Sequence, residues 1–323
     1  MNQSVNSNND IQEIANHIRM CGELACLLEV SATPKPGNVH RFRDFEDTKY
    51  EHFLASSISF GQWLEKLAIK GIKIARNELA WSQLHLGEMI KRAIITSDSF
   101  HTGGNTNLGI ILLLCPLSVS AGIATVEHNP PQLSDILGNV LKVLKHTTVD
   151  DAINVSEGIA IVSPGGLGKV EKYDVSSSSF RTELVDEKIT LLKLMQNCRH
   201  KDNICKELAE GYPITFDIGF KALNQAFETC FDINLSIINA YLEILGNTPD
   251  TLIIRKFGLE KAQEVSNRAQ QILEKGGALT IEGRRELEEF DIELREEEQI
   301  NPGTTADLIA STLFVFLVLG NKI

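Results

Sequence analysis

The chain has 323 residues, 43% of them hydrophobic, and a formal net charge of −12 from 31 basic and 43 acidic residues. That length supports a large core, in one domain or two closely packed ones. The acidic balance argues against general attraction to nucleic acid or an anionic membrane, but leaves room for a local basic pocket around a nucleotide. The first ten residues are polar and Asn/Ser-rich, without the apolar core of a signal peptide. They are expected to form a flexible tail, with 11–323 as a single all-helical catalytic domain.

Ile11, Ile14, Ala15 and Ile18, then Ala25, Leu28 and Val30, recur at helical spacing and predict a helix that stops before Pro34. Residues 50–80 predict a long helix, interrupted near Gly71. Residues 81–95 and 104–119 predict two more. ILLLCPLSVSAGIA at 110–123 is apolar, shorter than a bilayer span and interrupted by Pro116; it reads as a buried helix followed by a turn. A further helix is expected at 134–146, and Asp150 is placed to cap the one ending before Pro164.

The second half continues with helical patterns near 183–198, 202–210, 213–230, 233–246, 260–274, 280–291 and 304–319. TLIIRKF at 251–257 fits either a helix or a strand. The acidic run at 282–298 reads as a solvated helix face, with no catalytic role assigned. The six cysteines form no CxxC pair and several sit in apolar stretches, so buried thiols in a reducing cytoplasm are the expectation. The fold class is all-α: a compact multi-helical domain whose active site is formed by Gly/Pro-rich turns and helix ends.

Chemistry-bearing side chains crowd EVSATPKPGNVHRFRDFEDTKYEH, 29–52. Pro34 and Pro36 fix two φ angles, and Gly37 opens a backbone position that other residues resist. Glu29 stands among apolar residues and needs a partner: Lys35, His40 or a metal, or else a structural role at a helix end. Lys35 suits a phosphate as a point charge. Asp47 and Glu51 share one face if helix has begun, and fit either Mg²⁺ with substrate phosphates or an acidic first turn. His40 and His52 are candidate acid/base groups.

SFHTGGNTNLG at 99–109 follows the same habit. Gly103 and Gly104 permit close backbone approach, and Asn105 and Asn107 offer hydrogen bonds or a helix cap. The adjoining helix amides suit phosphate oxygens, although this is no P-loop. SPGGLGKV at 163–170 is a flexible turn with Lys169. In NTPDTLIIRKFG, Asp250 can cap a helix or ligate a cation, and Arg255 and Lys256 can face phosphate or solvent. In NPGTTADLIASTLF, Asp307 lies in a first helical turn among apolar neighbours, as an inward ligand or a plain first-turn acid. HExxH, GxSxG and CxxC are absent.

TPKPGNVHR (33–41), GGNTNLG (103–109), SPGGLG (163–168), PDTLIIRKFG (249–258) and NPGTTADLIA (301–310) closely resemble, in this order, signature segments of the triphosphoribosyl-dephospho-CoA synthase family. The resemblance spans roughly residues 20–320. It implies an all-helical, Mg²⁺-dependent transferase that joins ATP to the ribose 2′-hydroxyl of 3′-dephospho-CoA and releases adenine. By that resemblance Lys35, His40, Gly103, Gly104, Asn105, Asn107 and Arg255 bind the nucleotide. Glu29, Asp47, Glu51, Asp250 and Asp307 surround Mg²⁺. Glu51 and Asp307 take the electrostatic or base role, and His52 is an acid candidate. The implied partners are ATP and dephospho-CoA, with a homodimer left open.

The chain departs from citrate-lyase members of that family. TPKPGNVHRFRDFEDTKYEHF replaces a TPKPGLVD-type start followed by a GAHxDM-like segment. GGNTNLG replaces NTHKG, which removes a histidine and a lysine; Asp44 or Asp47 is available to supply the acidic function. The variant resembles a separate branch, some of whose members are linked to one-carbon or pterin-cofactor metabolism. A different ribosyl acceptor and a noncatalytic ATP-binding role are the alternatives.

Overall fold

Helical spacing becomes helices throughout the computed structural model, which describes residues 8–104, 106–162, 177–297 and 299–323. The first half holds α1 (Asn8–Ser31), α2 (Tyr50–Ser59), α3 (Gly61–Ala75), α4 (Leu86–Asp98), α5 (Leu108–Glu127), α6 (Leu133–Lys145) and α7 (Val149–Val162). The second half holds α8 (Phe180–Asp186), α9 (Leu191–Cys198), α10 (Asn203–Glu210), α11 (Phe220–Cys230), α12 (Ile233–Asn247), α13 (Thr251–Phe257), α14 (Leu259–Glu274), α15 (Ile281–Ile292) and α16 (Gly303–Val318). No strand occurs among the described residues, and the fold is all-α. The SPGGLGKV turn and Asn105 lie outside the described residues.

The core is built around helices with almost no polar face. From Ile110 to Thr125 every residue of α5 is buried, and α16 is buried nearly throughout. Each fully buried Leu or Ile there is worth roughly 1.5–3 kcal/mol. α5 is long and apolar enough to cross a membrane by length and composition, but 89% of its most apolar window is buried inside the protein.

α5 and α16 run parallel. Gly109 near the start of α5 abuts Asp307 near the start of α16, while Thr125 and Val318 share a groove at the other end. Ile14 and Ile18 from the first half of α1 line that same groove, so α1 runs antiparallel to both. One end of the bundle therefore collects the C-terminus of α1 and the N-termini of α5 and α16.

Several local expectations are corrected. The break within 50–80 falls at Phe60, and Gly71 lies inside α3. A Cβ on Gly71 would lie 2.2 Å from Val119 O, and one on Gly122 would lie 2.3 Å from Ala68 O. These reciprocal contacts let α3 and α5 cross antiparallel at backbone distance. Pro116 does not end its helix; α5 continues to Glu127, with burial offsetting one lost backbone hydrogen bond.

The cap of α7 is Thr148, in a reciprocal pair with Asp151, and not Asp150. Asp151 Oδ2 accepts from Thr148 N at 2.8 Å and Thr148 Oγ1 at 2.9 Å, and Asp151 N donates back to Thr148 Oγ1 at 3.1 Å. The helix expected over 183–198 is broken by Lys188 at φ 50°. Residues 251–257 are helical because Asp250 caps them. Cys198 and Cys205 are not thiols but a disulfide, with Cα atoms 5.7 Å apart.

Candidate active site

The TPKPGNVH turn leaves the end of α1 and is buried from Lys35 to His40. Gly37 has φ 71° and touches the 300–302 segment: a Cβ there would lie 2.5 Å from Ile300 O. Distant elements hold the turn. Asn234 on α12 bonds Thr33 through both backbone polar groups, accepting at 2.9 Å and donating at 2.7 Å. Tyr241 Oη donates to Pro36 O at 3.0 Å, and Asn38 Nδ2 donates to Asn301 Oδ1 at 2.9 Å.

Lys35, singled out as a point charge for a phosphate, is fully buried. Its ammonium pairs with the buried Glu29 carboxylate and donates to Glu29 O at 2.9 Å. Burial pushes the carboxyl of Glu29 up and the amine of Lys35 down; each partner's charge opposes the shift. Glu29 is thereby committed to Lys35.

His40 is also internal. Its Nδ1 lies 3.1 Å from Thr33 Oγ1, and its Nε2 lies 3.6 Å from Asp291 Oδ2, too long for a hydrogen bond. Burial lowers its pKa against the pull of Asp291. Asp291 was read as part of a solvated face, yet it is the anchor of the turn. It accepts from Gly37 N at 2.8 Å and Arg295 Nε at 2.6 Å. Burial acts to raise its pKa, but the His40 contact, the Arg295 charge and the Gly37 N–H outweigh it and hold it low. The i, i+4 spacing of Asp291 and Arg295 is the one trace of this in the sequence.

α13 and α16 meet at Asp250. Its Oδ1 accepts from Leu252 N at 2.8 Å and Ile253 N at 3.2 Å, capping α13. Its Oδ2 accepts from Thr305 N at 2.7 Å and Thr305 Oγ1 at 2.8 Å, tying the first turn of α16. Burial raises the pKa of Asp250 against these four donors.

Two residues further along α16, Asp307 is half-buried and packs against Gly109, where a Cβ would lie 2.1 Å from Oδ2. Burial, then the charges of Glu29, Asp250 and Asp202, push its pKa well above the carboxylate range, with Arg255 opposing. Asp307 is thus a carboxylate in a surplus of negative charge, beside the N-terminal turns of two helices.

The α2 entrance forms the outer wall. Asp44 Oδ1 accepts from Tyr50 N at 2.7 Å, and Tyr50 Oη lies 2.7 Å from Ser31 Oγ at the end of α1. Asp47 and Glu51 are exposed there. His52 Nδ1 accepts from Lys49 N at 3.1 Å, which leaves Nε2 as the protonated nitrogen of the neutral ring. The rings of His52 and His101 stack with centroids 5.6 Å apart. Gly103 fits under His52, where a Cβ would lie 2.1 Å from Nδ1, and Gly104 is next to Thr48. His101 is a site neighbour that spacing gave no reason to single out.

Asn107, expected to position ribose or phosphate, already has a partner inside the protein. It is buried, and its Nδ2 donates to Ser56 Oγ at 2.8 Å, which pairs with Ser97 Oγ at 2.6 Å. Arg255 is paired with Asp202 at the outer rim. The five acids expected around Mg²⁺ do not form one shell. Among the described residues no three His, Cys, Asp or Glu side chains gather as metal ligands. Glu29 is held by Lys35, Asp250 is occupied by four donors, and Asp47 and Glu51 stand at the rim. Asp307 remains, and its charge surplus suits a cation whose other ligands are substrate oxygens.

The model of the family "ATP:dephospho-CoA triphosphoribosyl transferase" matches residues 15–322. A Klebsiella pneumoniae 2-(5''-triphosphoribosyl)-3'-dephosphocoenzyme-A synthase is 24% identical over 299 residues, covering 91% of this chain and 88% of that protein. The crystal structure of an Archaeoglobus fulgidus protein, assigned as a triphosphoribosyl-dephospho-CoA synthase, superposes with a TM-score of 0.59 at 25% identity. It covers 83% of this chain and 99% of that one.

Proposed function

Because the chain belongs to the ATP:dephospho-CoA triphosphoribosyl transferase family, we propose that it transfers the triphosphoribosyl group of ATP to the ribose 2′-hydroxyl of 3′-dephospho-CoA and releases adenine. The observation that carries this reading is convergence. TPKPGNVHR, GGNTNLG, PDTLIIRKFG and NPGTTADLIA lie far apart in the chain and meet at one end of the bundle.

The chemistry asks for three things there. The bond from C1′ of the ATP ribose to adenine breaks as the acceptor oxygen bonds to C1′. Positive charge gathers on the sugar, and a nearby carboxylate stabilises it. Asp307 is the group best placed for this, with Glu51 at the rim. Asp307 or Glu51 would take the proton of the accepting hydroxyl. His52 presents Nε2–H as a donor toward the departing base or the ribose.

The triphosphate is kept in the product and must be gripped but not cleaved. The N-termini of α5 and α16 turn their positive dipole ends toward it. Asp307 would hold Mg²⁺ together with phosphate oxygens, and the ion would neutralise the triphosphate charge. Arg255 complements the triphosphate from the rim, while Lys35 and Glu29 hold the turn in shape.

A second acceptor has one specific observation in its favour. Asn107 turns inward at the segment where citrate-lyase members carry NTHKG, so the charged groups of that segment have no counterpart here. A related ribosyl acceptor would exploit the altered wall. Mass spectrometry of the purified protein with ATP, Mg²⁺ and 3′-dephospho-CoA decides between them. Free adenine with a triphosphoribosyl adduct is the expected result. ATP binding with neither product would overturn the dephospho-CoA assignment.

A further inference from the structure

We propose that the Cys198–Cys205 disulfide is a redox-sensitive clasp on the rim of the candidate site, opened by a small dithiol reductant. The bond joins the last turn of α9 to the first turn of α10 and closes the intervening exposed loop. Asp202 at the end of that loop and Asn203 at the start of α10 grip the PDTLIIRKFG segment. Asp202 Oδ1 accepts from Ile204 N at 2.8 Å and Cys205 N at 3.1 Å, while its Oδ2 pairs with Arg255. Asn203 Nδ2 donates to Pro249 O at 3.1 Å, and Asn203 N donates to Thr251 Oγ1 at 3.2 Å. Thr251 Oγ1 in turn donates to Thr304 Oγ1 at 3.2 Å, in the first turn of α16. A short chain of hydrogen bonds thus runs from the disulfide to the helix that carries Asp307.

Cys198 and Cys205 are half-buried residues, and Arg199, His200 and Lys201 beside them are exposed and basic. Such a setting draws in an anionic thiolate. The sulfurs are not equivalent. Cys205 sits where the N-terminal end of α10 stabilises a thiolate, whereas Cys198 sits at the C-terminal end of α9. Cys205 is therefore the better leaving group, and attack falls on Cys198 Sγ. The attacking thiolate bonds to Cys198 Sγ, the protein S–S bond breaks, and Cys205 leaves and takes up a proton. The second thiolate of the reductant then displaces Cys198. Two electrons and two protons pass to the protein, and the reductant departs as its own disulfide.

With the bond closed, Asp202 and Asn203 are fixed and hold Arg255 and the 249–251 turn in place. With it open, α9 and α10 still pack against each other, but the loop between them loses its covalent tie and that grip loosens. The same loop brings the Asp202 charge to bear on Asp307, so opening it alters the field at the site as well as its shape.

The test compares the protein purified without reductant and the same protein after dithiothreitol. Alkylation mapping should find Cys198 and Cys205 protected at first and labelled after reduction. Backbone hydrogen exchange over 247–257 should then speed by about fivefold, and ATP affinity should weaken by about fivefold. Cys198→Ser and Cys205→Ser should reproduce the reduced state without dithiothreitol, and Cys230→Ser should keep the response. Labelling of both cysteines before reduction, or unchanged exchange over 247–257 after it, would overturn the clasp. Only the affinity readout rests on the proposed ATP reaction. If neither form binds ATP, that reaction fails, while alkylation and exchange still decide the clasp.

Discussion

The two ends of the α1–α5–α16 bundle are built from the same helices and have opposite characters. At the candidate site, α5 and α16 present their N-termini, and the acids and lysine beneath are buried and paired, while His40 Nε2 has no hydrogen-bond partner. At the far end the same helices present their C-termini around a groove of about 560 Å³, with Asp10 and Glu13 of α1 on its wall. That hollow is therefore at the end where α5 and α16 point their negative dipole ends, which disfavour a triphosphate. Volume alone would choose that end; the direction of α5 and α16 favours the other.

That contrast can be broken or sharpened by substitution. Glu29→Ala strands the buried Lys35 ammonium and should cost about 3–5 kcal/mol in urea unfolding. The double change Glu29→Gln with Lys35→Met should recover much of that loss. If Lys35→Met instead leaves stability intact and abolishes ATP binding, Lys35 is a ligand and the site end has been misread.

Asp307→Asn should lower adenine release by about 10²–10³, with melting unchanged or raised as crowding with Glu29, Asp250 and Asp202 is relieved. A fully active variant would remove Asp307 from the chemistry. Gly109→Ala forces the Asp307 carboxylate aside and should cost about 10–100-fold in turnover, with a smaller effect on melting.

A buried acid next to neither end gives a pH effect. Glu207 is fully buried, and burial pushes it up to about 7 although it accepts from Ile214 N, Thr215 N and Thr215 Oγ1. Its folded pKa lies above its unfolded one, so the folded state holds the proton more tightly. The resulting stability is complete below the unfolded value and is lost as pH rises through about 7. Relative to Glu207→Gln, the natural chain should lose about 1 kcal/mol between pH 6 and pH 8. Equal slopes for the two proteins would show that Glu207 is ionised throughout.

The smallest effect belongs to the far end. Glu13→Gln and His17→Ala are exposed changes and should alter stability by no more than about 0.5 kcal/mol, with adenine release unchanged. A large activity loss there would reverse the assignment of the two ends.

The helices were legible because their apolar spacing is local, and the Pro/Gly turns because backbone restriction is written in single residues. What sequence could not supply is direction and long-range pairing. Glu29 and Lys35 were both singled out, but nothing in their spacing says that they satisfy each other and not a ligand. Asp291 looked like one acid in a charged run because its partner Gly37 lies 254 residues away. Asn107 faces inward because Ser56 and Ser97, on other helices, happen to meet there. Gly71 looked like a break because a glycine that ends a helix and one that admits a neighbouring backbone read the same. Cys198 and Cys205 carry no paired motif, and only the packing of α9 against α10 brings them together.

The apolar girth of α5 has a consequence for how the chain is made. α1 and α3 precede it, but α16, which closes its remaining side, begins at Gly303. At ribosomal rates of roughly 5–20 residues per second, that gap leaves oily surface uncovered for roughly ten to forty seconds. The nascent protein is then a client for whatever binds apolar segments at the exit tunnel. Fragments stopped short of α16 should fall out of solution, however well their own helices form.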